Sequence, residues 1–170
     1  MANSSRLLFL LLACVLCNPF SQAASRPDDR VAEEALAGHS RMVTTIERSM
    51  LALIAIAPDG DRFDLYRGYD GFLGAWVQVD ALLALLDRAI AQADGGDEEA
   101  TRRMLRDQAE FTLGELDSAI VSLADTGRSL RRPDDYDISV AARAELLRMR
   151  GTVAGILDAE CRRLGCAPMQ

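Results

Sequence analysis

Lysine is missing from this chain of 170 residues: all 19 basic side chains are arginine, set against 26 Asp and Glu. A GC-rich coding sequence accounts for that substitution, so no function is drawn from it. The acidic balance, a net charge of −7, excludes the basic footprint of a nucleic-acid binder. Histidine occurs once, at His39. A serine triad placed at Gly38-His39-Ser40-Arg41-Met42 would lack the second glycine of a nucleophile elbow and a further histidine to act as base. A helical metal pair would need a ligand three or four residues away, where Ala35, Leu36, Met42 and Val43 stand. Cys161 and Cys166 are spaced C-x₄-C and not the C-x-x-C of a redox motif, Cys14 and Cys17 fall inside the N-terminal apolar run, and no C-x-x-C-H is present for haem attachment. Repeats, low-complexity tracts and domain linkers are also missing. No catalytic, cofactor-binding or metal-ligating set is therefore expected.

Long apolar runs are scarce too, and the one that stands out is at the start. Arg6 precedes the run Leu7 to Cys17, which has the length of a secretory h-region and is too short to span a bilayer. Ser21-Gln22-Ala23 supplies small residues at −3 and −1, so residues 1–23 read as a signal peptide and 24–170 as the mature domain. An alternative takes Leu11-Leu12-Ala13-Cys14 as a lipoprotein box, with anchoring through Cys14. Loss of Arg6 with the leader takes the net charge from −7 to −8. About 147 residues then remain, enough for one domain with a real core. The location implied is periplasmic or secreted, with no stable membrane span after cleavage.

Only Cys161 and Cys166 survive cleavage. In an oxidising compartment nearby thiols pair, and Gly165 between them suits the left-handed residue that ends a helix. Cys161 and Cys166 then fall at the two positions a Schellman turn brings together, and a disulfide is expected. Its loop is so short that it would stabilise by only about 2 kcal/mol.

Four stretches carry a 3.6-residue period, which gives an all-α fold, an antiparallel up-down-up-down four-helix bundle. The first runs from about Asp28 to Ala57, entered through Ser25-Arg26-Pro27-Asp28 and stopped by Pro58-Asp59-Gly60. Its seam reads Ala32, Ala35, His39, Met42, Ile46, Ser49, Leu53 and Ile56, broadened by Leu36, Val43, Met50 and Ile54. The second is clearest from about Asp70 to Ala93, with Phe72, Trp76, Val79, Leu83, Leu86 and Ile90 inward. The third, capped by Asp97, runs from about Glu98 to Asp125 through Leu105, Ala109, Thr112, Leu116, Ala119 and Leu123. The fourth starts at Asp137 or Ser139 and reaches about Leu164 through Val140, Ala144, Leu147, Gly151, Ala154 and Leu157. Gly151 and Gly155 suggest a close helix approach.

The segment Asp59-Gly60-Asp61-Arg62-Phe63-Asp64, continuing to Asp70, has acids at positions 1, 3 and 12 of a calcium loop. It carries Phe63 and Asp64 where a ligand and the turn glycine belong, and reads as an inter-helix loop. Asp94, Asp97, Glu98 and Glu99 are what a helix N-terminus favours. Arg128, Arg131 and Arg132 make one basic knot, offset by Asp134, Asp135 and Asp137.

Aromatics are few and unevenly spread: Phe63, Tyr66, Tyr69, Phe72 and Trp76 crowd one stretch, leaving Phe111 and Tyr136 elsewhere in the mature chain. On the second helix Val77, Ala81 and Leu85 lie opposite the inward seam. Phe63, Tyr66, Tyr69, Val77 and Leu85 are thus the candidate interaction surface. The function this implies is an exported, non-enzymatic helical module that binds a protein partner, a second copy of itself being one candidate. The alternative is a small-molecule or b-type haem carrier using the bundle core, with His39 and Met149 as ligands on the first and fourth helices. Mass spectrometry of the exported protein is expected to find an N-terminus near Ala24; an intact Met1 or a lipidated Cys14 would contradict that cleavage.

Overall fold

A computed structural model describes residues 27–92, 98–130 and 133–166. The segment expected to be a leader, with Cys14 and the expected cleavage after Ala23, lies outside them, as do Asp97 and Arg131–Arg132. Four helices account for the described chain: α1 (Pro27–Ile56), α2 (Asp59–Ala91), α3 (Glu98–Ser129) and α4 (Pro133–Leu164). Successive helices pack on one another and α1 closes against α4, leaving α1/α3 and α2/α4 as diagonals. The pairings run in opposite directions. Thr126 Oγ1 donates to the Asp64 carbonyl and Thr101 Oγ1 to Gln92 Oε1, so α3 descends as α2 rises. Arg163 near the end of α4 reaches Asp29 at the start of α1. The chain is an all-α four-helix bundle.

The α1/α2 turn is tighter than the sequence suggests. Pro58 has no N–H to continue α1, yet its carbonyl accepts from the N–H groups of Asp61 and Arg62, both at 3.0 Å, and so opens α2 at once. Arg62 Nη2 donates back to the Ala57 carbonyl at 2.9 Å. The stretch Asp59 to Asp70, expected as a loop, is therefore helix. Gly68 is a close approach point, where an added Cβ would stand 3.1 Å from Leu123 Cδ2 and from Thr126 Oγ1. Gly151 and Gly155 have open space where a Cβ would be, so the close approach lies between α2 and α3 and not where those two glycines sit.

The buried rows repeat every seven residues. On α2 they are Asp61, Leu65, Gly68, Phe72, Ala75, Val79, Leu82, Leu86 and Ala89, and on α3 Arg102, Leu105, Ala109, Thr112, Leu116, Ala119, Leu123 and Thr126. Spacings that alternate three and four are those of left-handed bundles with knobs-into-holes packing. The α3 row matches expectation. On α1 the core is Leu36, Val43, Met50 and Ile54, the row expected only to broaden the seam, joined by Ile46 of the expected seam and by Ala57 just past the helix end, whereas Met42 and Ile56 are exposed. On α4 the core row is Ser139, Ala142, Leu146, Met149, Val153, Ile156 and Glu160. Of the expected seam Val140, Leu147 and Gly151 are exposed and Leu157 is buried. The reason is chemical: Ser139, Glu145 and Glu160, polar side chains with partners, hold inward positions and interrupt the apolar stripe that runs through Leu146, Met149 and Val153.

Leu146 and Leu147 are adjacent and separate the two registers. Leu146→Ala is expected to cost about 2–5 kcal/mol, since it empties a fully buried site. Leu147 is 46% exposed, and Leu147→Ala should stay within about 0.5 kcal/mol. Urea melts of both variants check the register; equal losses would refute it.

Candidate functional site

Charge inside this bundle is concentrated at the end where α1 starts and α4 finishes. Arg102, on the inward row of α3, is buried together with Asp29 and Glu160. Its Nη2 donates to Asp29 Oδ2 at 3.0 Å and its Nη1 to Glu160 Oε1 at 3.0 Å. Arg163 donates to Asp29 Oδ1 at 2.8 Å and also to Glu160 Oε1. The two carboxylates are thus shared between two guanidiniums. Glu98, one turn before Arg102, adds an ion pair at 3.7 Å. Glu160 Oε2 and Arg102 Nε are buried with no hydrogen-bond partner in the structure. Burial pushes the Glu160 carboxyl above the usual carboxylate range, outweighing the two guanidiniums that act in the opposite direction.

A further buried carboxylate, Glu145, sits part-way along α4. Glu145 Oε1 lies 2.5 Å from His39 Nδ1, and its Oε2 accepts from Arg148 Nε at 2.8 Å. His39 is therefore tied to the partner helix by its Nδ1 edge. Met149, one turn further on, is fully buried in the main core cluster. Among the described residues no group of three or more His, Cys, Asp or Glu is arranged to hold a metal ion. No described helix is long and apolar enough to cross a membrane.

At the α4 terminus Gly165 adopts φ +69°, and the Cys166 N–H donates to the Cys161 carbonyl at 2.9 Å. This is the six-to-one bond of a Schellman turn, as the spacing implied. Cys161 and Cys166 are free thiols here, not joined as a disulfide.

The candidate surface residues divide. Phe63, Tyr66 and Val77 are exposed. Tyr69 is half-buried between the helices, with its hydroxyl donating to Glu47 Oε1 at 3.4 Å, and burial followed by the Glu47 charge raises its pKa. Leu85 packs against the main core cluster. It is not on the free face, because α3 covers that side of α2: Gln108 Nε2 donates to Gln78 Oε1 at 3.2 Å and Thr112 Oγ1 to the Gln78 carbonyl at 3.3 Å.

Sequence reading passed over Asp29, Arg102, Glu145 and Glu160. Their signal was available in the spacing, since Arg102, Leu105 and Ala109 form one inward run, as do Ala142, Glu145 and Met149.

Arg102→Met is expected to destabilise by about 3–5 kcal/mol, because it leaves two buried carboxylates with Arg163 alone. Glu160 supplies a pH signature. With its folded-state pKa raised, the folded chain keeps a proton that the unfolded chain has lost. Its contribution is therefore largest below the ordinary carboxylate range and is lost as pH rises through the raised value. Thermal melts from pH 4 upward, at about unit steps, should show the wild type losing stability relative to Glu160→Gln; a constant difference would refute the shift. Compared with family models, curated proteins and solved structures, the chain finds no match.

Proposed function

We propose that this chain is an exported helical interaction module that holds a protein partner against the outward face of α2. The observation that carries this reading is the exposure of Phe63, Tyr66 and Val77, at 72%, 52% and 59%. At 100° per residue these three share one stripe with Gly74, Ala81 and Ala84, all exposed. Arg67, Asp70 and Arg88 are the charged members of that face. Large apolar side chains rimmed by a few charges suit a contact, with the aromatic rings supplying area at low entropic cost.

Export rests on the leader at residues 1–23, and the non-enzymatic reading on the sequence pattern. The carrier alternative asks more of this fold. The His39–Glu145 contact uses Nδ1 and leaves Nε2 for iron, but ligation by Met149 would have to open the closed core around it. Docking on the α2 face requires no such opening.

Val77→Glu, alone and with Phe63→Glu, should weaken association while leaving helicity and melting temperature near wild type. Each side chain buried at a contact contributes roughly 1.5–3 kcal/mol before the cost of association is subtracted. Sedimentation of purified protein reads self-association, and affinity capture from the native envelope reads a different partner. A wild type that is monomeric and captures nothing would overturn the proposal.

A further inference from the structure

The two cysteines lie at the opposite end of the bundle from Phe63 and Tyr66, and they are not equivalent. Cys161 belongs to the last turns of α4 and packs against the main core cluster. Cys166 stands beyond the helix, past Gly165, where the Schellman bond folds it back over Cys161. From α3, Arg106 donates to Cys166 Sγ, with Nη1 at 3.7 Å, while its Nε and Nη2 are paired with Asp107 on the same helix. Arg106 is one turn beyond Arg102, and Cys161 follows Glu160, so the buried ion network sets the distance between this guanidinium and this thiol.

We propose that Cys161 and Cys166 form a thiol–disulfide exchange site in which Cys166 is the attacking thiol, Arg106 holds its thiolate and Cys161 resolves the mixed disulfide. The electrostatics run in the required directions. The Arg106 hydrogen bond, then that from Cys161, pulls the Cys166 thiol below its ordinary value. Burial first, and the hydrogen bond to Cys166 second, push Cys161 up. Both cysteines are half-buried; the thiolate beside the cation is the nucleophile, and the thiol packed on the core with no cation of its own resolves.

The substrate class is a disulfide. Cys166 thiolate attacks one sulfur of R–S–S–R, forming a Cys166–S–S–R bond and expelling RS⁻. Cys161 then gives up its proton and attacks Cys166 Sγ, forming the intrachain disulfide and expelling the second RS⁻. Both protein thiols are oxidised, one substrate disulfide is reduced to two thiols, and the reverse sequence restores the dithiol. Reversal is accessible because the loop closed is very short. Fold and bridge stabilise each other equally, so a bridge that adds little to folding is held only weakly by it.

The test uses the reduced chain and iodoacetamide. In Cys161→Ser, where the serine hydroxyl keeps a donor beside Cys166, labelling of Cys166 at pH 7 should outpace the thiol of glutathione under the same conditions. Arg106→Gln in that background should slow labelling by about three- to tenfold and move the midpoint of its pH profile upward, while Arg106→Lys retains part of the effect. Glutathione disulfide and a disulfide-bridged peptide are then supplied separately. Wild type should form its intrachain bridge and Cys161→Ser should stop at the mixed disulfide, the faster arm identifying the source of the disulfide. Excess reduced glutathione should reopen the wild-type bridge. Labelling no faster than glutathione and unmoved by Arg106→Gln would overturn the site. So would a bridge that excess glutathione leaves closed, since that is a static structural disulfide.

Discussion

Arg102 holds three helices in one register. Its guanidinium joins α3 to Asp29 on α1 and to Glu160 on α4, although the backbones of α1 and α3 face each other across the bundle diagonal and are not packed neighbours. Desolvating a cation and two carboxylates is costly, and an apolar set of similar volume would serve stability as well or better. What the network adds is discrimination. Sliding α4 by one heptad against α3 would strand Glu160 and Arg102 in the interior without partners, a loss far larger than that of moving one leucine to the next leucine hole. The network therefore fixes where α1 begins and where α4 ends, and through those ends it places Arg106 over Cys166.

How much of this was legible depends on how each helix divides its apolar residues. On α3 the inward row is apolar and the outward face acidic, so Leu105 to Leu123 could be read directly. On α1 two neighbouring rows are both apolar, and Met42 against Val43 cannot be decided locally; packing against α2 and α4 decides it. On α4 the amphipathic signal is blurred, because Glu145 and Glu160 face inward to His39 and Arg102 among the buried apolar residues while Val140 and Leu147 face out. Such a helix is readable only once its partners are known. The start of α2 was hidden for another reason: Gly60, Gly68 and Gly71 look like loop punctuation, and only the Thr126 and Leu123 side chains across the gap show why a glycine is needed at Gly68. The Schellman turn, by contrast, is wholly local, and the Cys161-to-Cys166 spacing around Gly165 was enough to place it.

The same exchange of polar for apolar core positions bears on which exposed side chains carry information. A bundle of this length has a fixed set of inward positions, and each one held by a charged or hydroxyl group leaves an apolar neighbour outside. Val31 stands beside buried Asp29, Met104 beside buried Arg102, and Val140 and Leu147 beside buried Ser139 and near Glu145. Their exposure is a by-product of the polar interior and calls for no partner. Phe63 falls in part under the same account, since Asp61 is buried two residues earlier. Tyr66 and Val77 do not. Tyr66 follows buried Leu65, and Val77 lies between buried Ala75 and Val79, so on that face the core positions are already apolar and no polar group has displaced anything outward. The exposed ring and the exposed isopropyl group are additions to a complete core, which is why, of the three exposed residues that carry the interaction reading, Tyr66 and Val77 weigh more than the more conspicuous Phe63.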